Sequence, residues 1–226
     1  MWNYNHWTGT TGRRPRSTEP PENRFLLYFW VLREHFWALM KLNLFVLLTS
    51  LPIVTIAPSV AAMNRIVFKM IEDKPQLLWQ EYWHVFRKEL KPALFAGIPL
   101  TIVSAALILI GGFFRNIDVS GGQSLLALIG LAVVFVIGSY VFAMLPYLEL
   151  SIWQCYKNAV IMLLLCFWRN LLTVLLVMTL AAVFILGHPL TTPVLIFFAV
   201  PIFGYLIAFQ VYAPLHKYLV DKHKEL

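Results

Sequence analysis

The chain has 226 residues, 60% of them hydrophobic and only 13% charged, with a mean hydropathy of +0.73. A water-soluble domain is excluded by that balance, and several apolar runs are long enough to cross a bilayer, so a polytopic membrane protein is expected. The net charge of +7 does not indicate nucleic acid, because the basic residues fall in connecting segments as membrane topology requires and no basic aromatic module accompanies them.

Residues 1–22 hold Arg13, Arg14 and Arg16 among Thr, Gly, Ser and Pro, with no apolar core before a cleavage site, and read as a disordered cytosolic tail. From Asn23 the pattern turns aromatic (Phe25, Tyr28, Phe29, Trp30, Phe36, Trp37) with Arg24, Arg33, Glu34 and His35 interleaved. This is the pattern of a helix lying at the membrane interface. Phe36 to Ser50 and Ile56 to Phe68 follow as two apolar legs, each about 20 Å long as helix against roughly 30 Å of hydrocarbon.

Between the legs, Leu51-Pro52-Ile53-Val54-Thr55-Ile56-Ala57-Pro58 must interrupt the helix, because proline lacks the donor and restricts the residue before it. A same-side hairpin, one broken span and two tilted spans are the competing readings. Arg65, Lys69, Lys74, Arg87, Lys88 and Lys91 make the downstream flank as basic as the upstream one, which excludes a single crossing. Backbone groups freed inside a bilayer need donors, acceptors or a wet cavity. Thr49, Ser50, Pro52, Thr55, Pro58 and Ser59 are therefore the candidate site. The preferred reading is local satisfaction by the hydroxyls; in the functional alternative the turn packs on later hairpins or on a partner's helices and its open backbone groups face a polar cavity.

Gln76 to Lys91 reads as an amphipathic helix. Gln80, His84, Arg87, Lys88 and Lys91 share one face and Leu78, Tyr82, Val85, Phe86 and Leu90 the other; the preferred reading is a helix lying on the inner leaflet, and the alternative makes the polar face a candidate partner-docking surface. Pro92 is expected to divide it from a span over Ala93 to Phe113. Phe114 to Gly122 turns outside and Ser124 to Tyr147 returns; of the 18 Lys and Arg residues, Arg115 alone falls outside. Glu149 to Arg169 is a second amphipathic stretch, with Gln154, Lys157 and Asn158 polar and Trp153, Leu164, Phe167 and Trp168 apolar. Asn170 to Leu186, a turn at Gly187-His188-Pro189 and a span to about Tyr212 complete a helical domain over residues 23–215. Residues 216–226 form a basic cytosolic tail. The fold class is all-α, with about six membrane-embedded helices, the first pair short, plus interfacial amphipathic helices. A basic amphipathic helix followed by a hairpin occurs twice, a weak repeat without residue-level match.

The run from Leu42-Asn43-Leu44 through the Leu51 to Pro58 turn, then Ala61-Ala62, a basic stretch and Tyr82-Trp83-His84-Val85-Phe86-Arg87-Lys88, resembles the YesL family, known as domain of unknown function 624. Ala57 stands where that family commonly has glycine, and Glu81-Tyr82-Trp83 replaces its usual Asp-Phe-Phe. Lys157-Asn158-Ala159 resembles a later feature, so the likeness extends over about residues 25–215. The resemblance implies a cell-membrane protein of Gram-positive bacteria, encoded beside carbohydrate ABC importers, and hence a role in sugar uptake.

No enzyme is expected. The three aspartates, Asp73, Asp118 and Asp221, lie in loops or the tail, and no zinc-protease, phosphate-loop or nucleophile-elbow motif is present. Ser139 sits mid-span beside Gly138, where small residues serve packing. The six histidines lack ligand spacing, so neither metal nor cofactor is expected. Cys155 and Cys166, eleven apart in one expected helix, are too distant to bridge. Glu149 reads as an interfacial acid, and Thr101, Ser104, Tyr205 and Gln210 as backbone partners within spans. With the lipid bilayer as its surroundings, the chain is expected to act as a non-enzymatic accessory or scaffold subunit, its partners the permease or ATPase subunits of a carbohydrate ABC importer. The alternative is a stand-alone sugar facilitator or secondary transporter. Both termini are expected in the cytoplasm.

Overall fold

The computed structural model describes residues 21, 23–74, 77–115, 122–148, 150–187, 198 and 203–220, and among them every regular element is helical. Asn23 opens α1 (Arg24–Glu34) by accepting the Phe25 N–H at 3.0 Å, the usual device for a helix start. A bend at His35 separates it from α2 (Phe36–Thr49). A short 3-10 turn, Ile53–Thr55, leads into α3 (Ile56–Ile71). Then come α4 (Leu78–Arg115), α5 (Gly122–Leu148), α6 (Ile152–Leu165), α7 (Phe167–Leu186) and α8 (Tyr205–Leu215).

The bundle is built around α3. Of its most apolar window 56% is buried, against 17% for α4 and 11% for α7, so α3 is the core helix and the others present wide faces outward. Small side chains explain how neighbours approach it closely: Ser59, Ala61 and Ala62 are fully buried. On α4, Gly97 faces Ala57, and a Cβ built at Gly97 would stand 3.2 Å from the Ala57 methyl. Gly111 and Gly130 play the same part between α4 and α5, against Ala127 and Leu107.

Among the described residues, four stretches are long and apolar enough to cross a bilayer: Ile53–Ile71, Leu78–Gly111, Leu125–Leu148 and Phe167–Phe184. Phe36–Thr49 and Ile152–Leu165 are apolar but shorter. The all-α polytopic membrane class expected from composition is therefore the class adopted. The second leg is longer than expected, running to Ile71. Of the last expected span, only Phe198 and the stretch from Phe203 onward are described, and residues 216–220 continue α8 as a π-helical turn where a tail was expected.

Two expected boundaries move. Pro92 does not end a helix: α4 runs unbroken through Pro92 and Pro99 for 38 residues, about 57 Å at 1.5 Å per residue. Intramembrane prolines are tolerated where neighbours re-satisfy the loosened backbone. Here the Tyr156 hydroxyl of α6 donates to the Ala96 carbonyl, in the turn opened by Pro99. Conversely, the helix expected to hold both cysteines ends at Leu165, and Cys166 occupies a bend before α7. Both thiols are free all the same. On α6 the buried side is Cys155, Ala159 and Met162, whereas Trp153 and Leu164 are 79% and 71% exposed. The large apolar residues of that stretch thus face the surroundings, as suits a helix bathed in lipid rather than one resting on water.

Candidate functional site

The expected turn residues converge on one hydroxyl network. Thr55 Oγ1 donates to the Thr49 carbonyl and, at 2.7 Å, to that of Pro52. The Thr55 N–H also reaches the Pro52 carbonyl, at 2.9 Å. Ser59 Oγ bonds to the Thr55 carbonyl at 2.7 Å and to Thr49 Oγ1 at 2.9 Å. Ser50 acts through its backbone, its N–H donating to the Val46 carbonyl at 2.9 Å. The Thr49, Pro52 and Thr55 carbonyls are thereby paired within eleven residues, in the manner of the local reading preferred from sequence.

Only one of the two prolines has the task expected of it. Pro52 precedes the 3-10 turn in an extended conformation, φ −75° and ψ 119°, and does end the helical path. Pro58 is the third residue of α3, where its missing N–H would have had no intrahelical acceptor, so it starts a helix and breaks nothing. The turn also packs on a later element, which is one half of the alternative; none of its six residues lines either of the two cavities described below. Tyr82 of α4, fully buried, shares a hydrogen bond of 2.6 Å with Thr49 Oγ1. At its tip, Leu51, Ile53 and Val54 are 76%, 82% and 68% exposed, an apolar cap suited to hydrocarbon and not to water.

The polar face expected on α4 is real, with Gln80, His84, Arg87, Lys88 and Lys91 all exposed and Tyr82 and Phe86 buried behind them. It is also concave. Gln80, His84 and Lys88 form one wall of a cleft of about 490 Å³ whose other wall is Arg65 and Lys69 of α3. Glu81 bridges the two helices through Oε1, 2.8 Å from Lys69 Nζ, while its Oε2 is buried with no hydrogen-bond partner among the described residues. Glu89, 5% exposed, closes the cleft from below. Both acids interrupt the basic run instead of extending it, so the charge pattern of the sequence does not mark them as site residues.

Beside the cleft, Glu72 at the end of α3 ties three helices. Its Oε1 accepts the hydroxyl of Tyr147 (α5) at 2.5 Å and that of Tyr212 (α8) at 3.4 Å, and its Oε2 pairs with Lys74. Burial alone would raise its carboxyl; the hydrogen bonds from Lys74, Tyr147 and Tyr212, with the Lys74 charge, outweigh that and hold it below the ordinary glutamate range. Phe68 packs edge-on to both tyrosine rings, and the Arg65 guanidinium lies 5.5 Å from the Tyr147 ring centre.

The second break, at Cys166, is repaired by a residue that sequence reading placed only as the start of a span. Asn170 Nδ2 donates to the Met162 and Leu163 carbonyls at 3.3 Å, and its Oδ1 accepts from Tyr140 at 3.0 Å. Thr101 and Ser139 bond to backbone one turn earlier, as expected of spanning hydroxyls. Tyr205 instead reaches the Tyr28 carbonyl of α1, and Gln210 accepts from Arg169. Glu149, Asp118, His188 and Pro189 lie outside the described residues. Among the described residues no cluster of His, Cys, Asp and Glu could hold a metal ion.

Residues 28–109 match the family described as Protein of unknown function, DUF624. The matched stretch runs from Tyr28 in α1 through most of α4, and so contains the proline turn, Tyr82 and the cleft; it is narrower than the 25–215 over which likeness was expected. No curated protein and no solved structure matches the chain.

Proposed function

Starting from a chain whose residues 28–109 carry a DUF624 segment, we propose that it is a non-enzymatic accessory or scaffold subunit of a carbohydrate ABC importer in the cell membrane. Its termini and the Leu78–Lys91 end of α4 lie on the cytosolic side. The observation that supports this most is the cleft between α3 and α4, where a buried, unpaired Glu81 oxygen sits between exposed cations and amides. Such a groove suits a partner segment that brings its own donors and carboxylates. α4 carries that surface on the same continuous helix that crosses the bilayer, so a partner docked there is held in fixed relation to the membrane. The distribution of Lys and Arg, with Arg115 alone in the opposite loop, supports the orientation.

Affinity purification from native membranes, with a photo-crosslinker at Gln80 or Lys88, is expected to recover a permease or ATPase subunit. The triple charge reversal Arg87→Glu, Lys88→Glu, Lys91→Glu is expected to abolish recovery without lowering the melting temperature. Purification that yields no transporter subunit overturns the reading. A cysteine placed at Asp118 should label from outside the cell, and one at Thr8 or Lys224 only after permeabilisation. The open polar cleft also favours a second reading, a facilitator; sugar flux in proteoliposomes holding this protein alone would establish it in place of the first.

A further inference from the structure

A cavity of about 790 Å³ lies between α1, α7 and α8, apart from the proline turn and the cleft. Its walls are apolar for most of their length, with Phe29 from α1, Leu176 and Leu180 from α7 and Phe209 from α8. At one end Arg24 and Arg169 enter the same space. Arg169 gives its Nε–H to Gln210 Oε1 at 3.0 Å, which fixes the guanidinium plane and leaves its Nη donors pointing elsewhere. Among the described residues neither arginine pairs with a carboxylate, and none of those lining the cavity is acidic.

Two like charges at the end of an apolar cavity are unfavourable unless an anion joins them, and a guanidinium fork matches phosphate oxygens in geometry. The length of the apolar part says what kind of anion. From Arg169 to Leu180 is eleven residues of helix, about 16 Å. That is half of the roughly 30 Å hydrocarbon core, which is the depth of one leaflet. The cavity is also open sideways, since Phe25, Phe29 and Leu176 at its lip are 70%, 51% and 43% exposed. A small free anion would account for the arginines and leave the apolar length unexplained.

We propose that this groove holds one anionic phospholipid, its phosphate on Arg24 and Arg169 and an acyl chain along α7. The two arginines select the head group and the α1 and α8 aromatic rings provide the apolar wall. Tyr28 holds that wall rigid, stacked on Tyr205 at 4.8 Å and edge-on to Phe209 at 5.3 Å. A lipid seated there adds to the Tyr28–Tyr205 and Tyr28–Phe209 contacts in holding α1 against the last helices of the bundle.

The test is native mass spectrometry of the full-length protein in neutral detergent, titrated with phosphatidylglycerol or phosphatidylcholine. One phosphatidylglycerol per chain is expected, retained at least tenfold more tightly than phosphatidylcholine. Loss of each arginine, as Arg24→Gln or Arg169→Gln, is expected to weaken it about fivefold. Because Arg169 also supports Gln210, Leu176→Trp serves as a second variant: it leaves both arginines in place, fills the groove and should expel the lipid. The basic tail is present in every variant and cannot produce these differences. Equal retention of the two lipids, unchanged retention in the double arginine variant, full displacement by inorganic phosphate, or a second copy of the chain in place of lipid would each overturn the proposal.

Discussion

Replacing Tyr82 by phenylalanine removes one oxygen from a fully buried ring and tests whether the proline turn is fastened to α4. The Tyr82 hydroxyl shares its 2.6 Å hydrogen bond with Thr49 Oγ1, which retains the Phe45 carbonyl and Ser59 Oγ after the change. Tyr82→Phe should therefore cost only the net value of one bond, about 1 kcal/mol. The reciprocal change, Thr49→Val, leaves the Tyr82 hydroxyl, in a site with no accessible surface, with Ser59 as its remaining side-chain partner, and an under-satisfied buried group costs about 1–3 kcal/mol. With both changes no orphan remains, so the double variant should be little worse than Thr49→Val alone. Interhelical hydrogen bonds in membranes give coupling energies averaging about 0.6 and reaching about 1.7 kcal/mol, and the value here belongs in the upper half because the site is closed to water. The assay is a four-variant cycle of reversible unfolding in mixed micelles. Additivity within about 0.3 kcal/mol, or Thr49→Val milder than Tyr82→Phe, would refute the fastening.

Three further outcomes are expected. Gly97→Val should destabilise by about 1–3 kcal/mol through overpacking against Ala57, while the exchange Ala57→Gly with Gly97→Ala should restore wild-type melting; an exchange no better than Gly97→Ala alone would show that the contact does not matter. Glu72, held below the ordinary glutamate range by its partners, contributes stability that is present above about pH 4.3 and lost as pH falls through its folded value. The gap in melting temperature between wild type and Glu72→Gln should accordingly be full above about pH 4.3 and narrow as the pH falls below it, and a gap that widens on acidification would contradict this sign. Thr55→Ala, which removes donors to the Thr49 and Pro52 carbonyls, should lower stability by about 1 kcal/mol, more than Pro58→Ala does; the reverse order in the same unfolding assay would return the break to the prolines.

The first hundred residues were legible because their signals are local. Two prolines, four hydroxyls and a polar face with helical spacing lie within fifty residues of one another, and the turn, its internal hydrogen bonds and the exposed face from Gln80 to Lys91 follow from them. Ala57 was legible as a departure, and its methyl is the group that meets Gly97. Pro92 misled because the local rule ends a helix where a donor is missing, whereas this helix runs on through it within the bundle. The bend at Cys166 has neither proline nor glycine to announce it, and its repair by Asn170 depends on a side chain that reads equally well as the first polar residue of a span. Glu72, Arg24 and Arg169 were invisible as a set for a simpler reason. Their partners lie up to 140 residues away, and no periodicity connects them.

The separation in sequence between partners also fixes an order of assembly. When the first hairpin leaves the ribosome, the Thr49, Thr55 and Ser59 bonds can close at once, since they span no more than ten residues, and the hairpin can enter lipid without waiting for the rest of the chain. Tyr82 arrives next and clamps it. Tyr147 then takes Glu72, and Tyr212 reaches the same oxygen only after α6 and α7 have followed. A chain stopped before α8 would thus hold an inserted but open bundle, with Glu72 half-served and the Tyr28 carbonyl still waiting for Tyr205. That gives membrane quality control a polar mark by which to distinguish an unfinished copy from a finished one.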